Sequence, residues 1–178
     1  LLLWVALGSC SVESIKEANL DEQLIREKLI RSRGFISSNQ NDSAIIYLQP
    51  TLDSLKVTNS FNSILGLEVR LVVSKAQEQR NQNIEALFSV KELIEQSEIQ
   101  EQWRIYAESC LILARLYHKI QRISLSKQQL ILAGNAIQEH KLEAFLPEFT
   151  IHNALWHNTY GSADSVAYFA ELAINALD

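Results

Sequence analysis

The side chains with most chemistry to offer are four histidines, two cysteines and a set of charged residues that recur at one interval. His118, His140, His152 and His157 come no closer than five positions apart, whereas two metal ligands on one helix face stand three or four apart. No metal site follows. The sequence contains no glycine-rich phosphate loop, no Cys-x-x-Cys pair and no Gly-x-Ser-x-Gly turn, so the common cofactor and hydrolase signatures are missing. No catalytic residue and no cofactor are assigned. A hydrolase or transferase working through a carboxylate pair has only the presence of Glu and His behind it. The recurring charges are more informative. At steps of 40 positions, Glu68, Glu108 and Glu148 form one row, Lys75, Arg115 and Leu155 a second, and Glu78, His118 and Asn158 a third. Three glutamates at one recurring position can offer an acidic stripe to a basic or polar partner, and Lys75 and Arg115 can hold a carboxylate. The simpler account of the same rows is a solvated helix face, where Glu and Lys are ordinary.

Such rows need elements that recur. With 178 residues, 47% of them hydrophobic, the chain can bury a sizeable core. Five Gly and two Pro over that length leave long unpunctuated stretches and favour helices over the frequent turns of an all-β domain. From Trp103 to Ile120 the apolar or small residues Trp103, Tyr106, Ala107, Cys110, Leu113, Ala114, Tyr117 and Ile120 fall at steps of three and four, one helical stripe. After Gln121-Arg122-Ile123-Ser124, a second stripe runs through Leu130, Ala133, Ala136 and Ile137. Two helices joined by so few residues are antiparallel neighbours. Sliding this hairpin by 40 residues pairs Ser74 with Ala114 and Ala154, Ala86 with Ser126 and Val166, and Leu93 with Ala133 and Ala173. An offset of 42 brings Ala44 onto Ala86 and Leu48 onto Val90, for about four hairpins in all.

Ala114, Ser126 and Ala133 sit where paired helices would cross, and only small side chains let helix axes come close. Leu113-Ala114 followed by Tyr117 places a leucine, a small residue and a later tyrosine in a first helix. In these positions the chain resembles the tetratricopeptide-repeat family. Asp42-Ser43-Ala44-Ile45-Ile46-Tyr47 and Asp164-Ser165-Val166-Ala167-Tyr168 are similar to the opening of the second helix in such repeats from bacterial signalling proteins, with the Asp or Ser able to cap the helix. The resemblance covers most of residues 40–178. It implies an all-α fold, a right-handed α-solenoid of antiparallel helical hairpins, whose concave groove the three charged rows would face. The unit is about 40 residues against 34 in that family, and the usual closing proline is missing from the copy ending near Gln138. HEAT and armadillo arrays also use longer two-helix units.

Two stretches pull the other way. Leu67, Val69, Leu71 and Val73 alternate like a half-buried strand, although the 40-residue register makes them equivalent to the helix around Leu111. Pro50 falls inside an expected second helix, where it removes a hydrogen bond to the Ile46 carbonyl and predicts a kink or a break. Trp103, Tyr106, Trp156 and Tyr160 are expected to fill the space between hairpins rather than to stack on a ligand. Cys110, on the apolar stripe, reads as a buried structural thiol with no bridge to Cys10.

At the N-terminus, Leu1 to Leu7 is an uncharged apolar run followed by Gly8, Ser9 and Cys10. This resembles the lipobox of bacterial lipoprotein signals. The resemblance implies that Leu7, Gly8 and Ser9 are read by the signal peptidase and that Cys10 becomes the acylated N-terminus. An ordinary cleaved signal, or the end of a transmembrane anchor with Cys10 buried, are the alternatives; seven apolar residues fall short of the roughly 20 that span a bilayer. The absence of Met suggests a sequence that begins partway into a signal segment. The expected organisation is a truncated signal peptide at 1–9, an N-terminal linker and helix at 10–38, and tetratricopeptide-like helical repeats over 39–178 that run on past Asp178.

A formal charge of −5 with scattered basic residues leaves no stripe on which a phosphate backbone could be neutralised, so nucleic acid is not an expected partner. The expected function is a non-enzymatic scaffold that takes a protein or peptide ligand in the groove. It would be lipid-anchored to the membrane of the bacterial cell envelope, on the periplasmic side or the cell surface. The alternative is the extracytoplasmic sensor region of a histidine kinase or helix-turn-helix regulator whose output domain lies beyond Asp178. Ala170, Leu172, Ala173, Ile174, Ala176 and Leu177 leave the last helix little polar face, whereas a terminal repeat needs one for solubility.

Overall fold

A computed structural model describes residues 22–175. Cys10 and the lipobox lie outside the described residues. Within them the chain is helical, with no strand: α1 (22–37), α2 (Asn41–Val57), α3 (Ile64–Gln79), α4 (Asn83–Ile99), α5 (Trp103–Lys119), α6 (Ile123–Glu139), a 3-10 turn (Glu143–Phe145), α7 (Leu146–Tyr160) and α8 (Ala163–Asn175). The stretch that alternates from Leu67 to Val73 is helical, not a strand. Leu67, Val69, Leu71, Val72, Val73 and Ala76 are all buried there, which covers most of the circumference of α3. Pro50 does not break its helix. It lies on an exposed position of α2, which runs uninterrupted from Asn41 to Val57.

One backbone device ends most of these helices. Asn39, Asn59, Asn81, Glu101, Gln121 and Lys141 all have φ between 53° and 60°, a left-handed conformation that L-residues adopt at a cost. After α3, Asn81 N–H donates to the Glu78 carbonyl at 3.1 Å and Gln82 N–H to the Gln77 carbonyl at 2.9 Å. This Schellman pair recurs after α4, where Glu101 bonds Glu98 and Gln102 bonds Ser97, and after α5, where Gln121 bonds His118 and Arg122 bonds Tyr117. The residue after each left-handed one then opens the next helix: the Gln82, Gln102 and Arg122 carbonyls accept from Ala86, Tyr106 and Ser126. A connection this short turns the chain straight back, so sequence neighbours pack together. The side chains of Gln40, Gln82, Gln102 and Arg122 make no cap bond. Asp42 and Asp164 are therefore not caps, contrary to the reading of their motifs. Each lies in the first turn of its helix, where its charge suits the dipole, and the hydroxyl that accepts from the α8 backbone is Ser162, from Ser165 N–H at 3.3 Å.

The described chain divides into two compact units, one up to Val72 and one from Val73. In the first, α1 meets α2 through an edge-to-face contact of Phe35 and Tyr47, 5.9 Å between centroids, and a hydrogen bond from Lys28 Nζ to Thr51 at 3.2 Å. Leu29, Ala44, Leu48, Leu52 and Leu55 are buried there. In the second, α5 packs against both α4 and α6, and α7 against α8. Its core joins Tyr106, Ala107, Cys110, Leu111, Ala114, Leu130, Ala133, Ile137 and Trp156, with Trp103 and Tyr160 packed against it. The four aromatic residues thus belong to the core. Ala44, Ala86 and Ser126 each stand fourth in α2, α4 and α6 and are buried. Ser126 Oγ donates to the Ala114 carbonyl at 2.9 Å, so this hydroxyl is satisfied while its small size lets α5 and α6 close.

Candidate binding site

Helix α5 supplies the centre of the site in the second unit. Its apolar stripe commits one face to the core, which leaves Arg104, Glu108, Arg115, His118 and Lys119 on the other side, at spacings of three, four and seven that keep them in line. The end of α3 brings Lys75 and Glu78, and α7 brings Glu148, His152, Leu155 and Asn158. Lys75 Nζ donates to Glu108 Oε1 at 3.0 Å, and Arg104 Nη1 lies 3.7 Å from Glu108 Oε2. Arg115 Nε donates to Glu78 Oε2 at 3.2 Å and Nη1 to Glu148 Oε1 at 2.6 Å. Lys119 Nζ donates to the other oxygen of Glu78, Oε1, at 2.6 Å and to the Glu78 carbonyl at 2.9 Å. Glu78 is only 6% exposed and Arg115 15%. Charges so far from water persist because they are paired on several sides; removing one partner of such a pair typically costs about 3–5 kcal/mol.

The three rows read from the sequence therefore meet different fates. In the second unit Glu108 and Glu148 are each engaged by cations of adjacent helices, and Lys75 and Arg115 do hold carboxylates, but those of their own chain. Charge alternates across the face. In the first unit Glu68 receives Arg33 Nη2 at 3.1 Å. Glu78 is the most deeply buried acid of the set, while His118 and Asn158 line a cavity beside Arg115. Arg104, Lys119 and His152 belong to the same network and stand outside the three rows, His152 having been weighed only as a metal ligand. Their signal was available: each stands four residues from a member of the rows, Arg104 from Glu108, Lys119 from Arg115 and His152 from Glu148.

Electrostatics hold one acid of this site ionised. The Glu148 carboxyl is lowered from its ordinary 4.5 to about 2, first by His152, then by Arg115 and Lys75, with burial opposing them. Of these neighbours Arg115 makes the shortest contact. His152 Nε2 lies 3.0 Å from Arg115 Nη1 and 3.8 Å from Glu148 Oε1. With its proton on Nδ1 the ring accepts from Arg115; with Nε2 protonated it points a donor toward Glu148 instead. An acid that stays ionised down to about pH 2 is a poor proton donor or acceptor near neutrality, and the arrangement is suited to binding charge. Among the described residues no three His, Cys, Asp or Glu side chains come together as a metal site, and no helix is long and apolar enough to cross a membrane.

Nearer the core, Cys110 is fully buried and burial pushes its thiol up to about 12, with the Tyr106 hydroxyl, also raised to about 12 by burial, beside it. A thiolate is needed for nucleophilic chemistry, so this sulfur packs. Set against family models, curated proteins and solved structures, the chain matches none of them.

Proposed function

We propose that this chain is a non-enzymatic binding scaffold, a right-handed solenoid of tetratricopeptide-like helical hairpins that takes a protein or peptide segment along the charged face of its first helices. The observation that carries this reading is the recurrence of one turn. Left-handed residues at Asn81, Glu101, Gln121 and Lys141 follow each other at intervals of 20, and the turns after α3, α4 and α5 close with the same pair of backbone bonds. Equal helices joined by equal turns stack by a constant small rotation, which is how an extended concave surface arises. The ion pairs between α3, α5 and α7 hold that face rigid, and a rigid face loses less entropy when a partner docks. Because the charges alternate, the partner matched to it is polar with both signs rather than simply basic. The lipid anchor on Cys10, and with it a place in the cell envelope, rests on Leu7-Gly8-Ser9-Cys10.

The test is selection of displayed peptides against the full chain, followed by calorimetry. Bound peptides are expected to lose about tenfold in affinity on Lys75→Glu, the size of one charge-assisted hydrogen bond. Failure to select any peptide, or peptides indifferent to that substitution, removes the reading. Mass spectrometry of the chain from bacterial membranes tests the anchor separately, since an unmodified Cys10 there excludes acylation.

A further inference from the structure

Between α5, α6 and α7 the second unit leaves a cavity of about 200 Å³ whose lining divides by chemistry. Leu130, Leu155 and Trp156 form an apolar side; Arg115, His118 and Lys119 form a polar one, and no carboxylate lines it. Unused hydrogen-bonding capacity converges here. Arg115 spends Nε and Nη1 on its ion pairs and the contact to His152, while its Nη2 makes no hydrogen bond among the described residues. The His118 ring packs at a tilt on Tyr160, 5.4 Å between centroids, and its nitrogens likewise bond to none of those residues. Trp156 is 7% exposed and contributes its ring to the apolar side.

Size and charge narrow the ligand. An apolar cavity of about 150 Å³ holds benzene, so this one has room for a single ring and a small polar group, and it is smaller than the roughly 300 Å³ at which sites for drug-sized ligands begin. Because Glu78 and Glu148 already offset the charges of Arg115 and Lys119, an anion is recognised through the unbonded edge of the Arg115 guanidinium and not through a net charge, and a doubly charged anion is disfavoured more than a singly charged one. A planar carboxylate matches the free edge of a guanidinium.

We propose that this cavity is a binding site for a small aryl or branched-alkyl monocarboxylate. The carboxylate is held by Arg115 and His118, and the apolar body lies against Leu130, Leu155 and Trp156. This goes beyond the docking of a peptide along the charged face: the cavity is too small for a chain segment, and either kind of binding can be lost in experiment while the other stands.

The test uses the full chain labelled with nitrogen-15 and the indole N–H resonance of Trp156, told apart from those of Trp4 and Trp103 by Trp4→Phe and Trp103→Phe. The probes are phenylacetate, 2-phenylethanol and acetate. Phenylacetate is expected to shift the Trp156 resonance saturably, binding at least about tenfold tighter than either control, because it alone carries both the charge and the ring. His118→Leu should weaken it by about tenfold, and Leu155→Trp, on a half-exposed position at the cavity, should block it with the thermal midpoint unchanged. No saturable shift up to about 10 mM phenylacetate overturns the proposal. So does equal binding of 2-phenylethanol, which leaves the anion unrecognised, or unchanged binding in both variants, which places the ligand elsewhere.

Discussion

Replacing Glu148 by Gln removes one charge from the network while keeping a side chain of the same shape, and its effect can be worked out in advance. The carboxyl sits at about 2 in the folded chain against its ordinary 4.5. A group whose folded value is depressed stabilises the fold above its unfolded value, and that contribution fades as the pH falls through the folded one. The difference corresponds to about 3 kcal/mol at roughly 1.4 kcal/mol per pH unit. Glu148 is 30% exposed, and solvent screening brings the expected effect down to about 2 kcal/mol. Urea unfolding of the parent chain and of Glu148→Gln, each at pH 7 and at steps between pH 5 and pH 2, measures it. The variant should be less stable by about 2 kcal/mol at pH 7, and the gap should narrow below pH 4.5 and close near pH 2. Taking the difference between the two proteins cancels the titration of the other acids. A gap under about 0.5 kcal/mol at pH 7, the size of an exposed pair, refutes the reasoning. So does a gap that stays constant with pH, because the loss would then be one of packing.

Four further outcomes follow from backbone and burial. Glu101→Gly should raise stability by about 0.5–1 kcal/mol in urea unfolding, since glycine relieves a left-handed residue at φ 55° while adding freedom to the unfolded chain. Gly66→Ala should cost about 2 kcal/mol or more, because the added Cβ meets the Phe61 and Ser60 carbonyl oxygens at 2.4 and 2.6 Å. Gly34→Ala, with nothing within 4 Å, should instead gain a few tenths to about 1 kcal/mol; equal effects at the two glycines would contradict the packing beside α3. Cys110, with its thiol at about 12, should resist iodoacetamide at pH 8 until the chain is unfolded, as followed by the mass of the peptide that contains it.

Helix α5 was legible almost to its ends: the stripe from Trp103 to Ile120 became Trp103–Lys119, because apolar and small residues recur along it every three or four positions, although Ile105, Ile112 and Leu116 on another side are buried as well. Helix α3 was less plain, since Leu67, Val69, Leu71 and Val73 alternate at the period of a strand while all four are buried in a helix. The break after Ile120 was read in the sequence, but the left-handed residues that make the turns were hidden for another reason. Left-handed positions usually announce themselves with glycine, and here Asn, Glu, Gln and Lys occupy them, tolerated because the Schellman bonds and the packing of both flanking helices hold the backbone in place. Asp42 and Asp164 were misread as caps because the same residue type serves equally well one turn in, where it meets the helix dipole.

The charged rows show the division most clearly. Residues seven or four apart on one helix share a face whatever surrounds them, so Glu108, Arg115 and Lys119 were bound by their spacing to lie together, as were Glu148 and His152. The sequence alone determined that the chain is helical, that α5 and α6 are antiparallel neighbours, and which residues of each recur on one face. Which cation meets which carboxylate was decided only by the tertiary structure, because an ion pair depends on the lateral distance between helices to within about an ångström, and that distance is set by the side chains at the crossings. The same distances turned an expected acidic stripe into alternating pairs, and opened beside Arg115 a cavity that belongs to three helices at once.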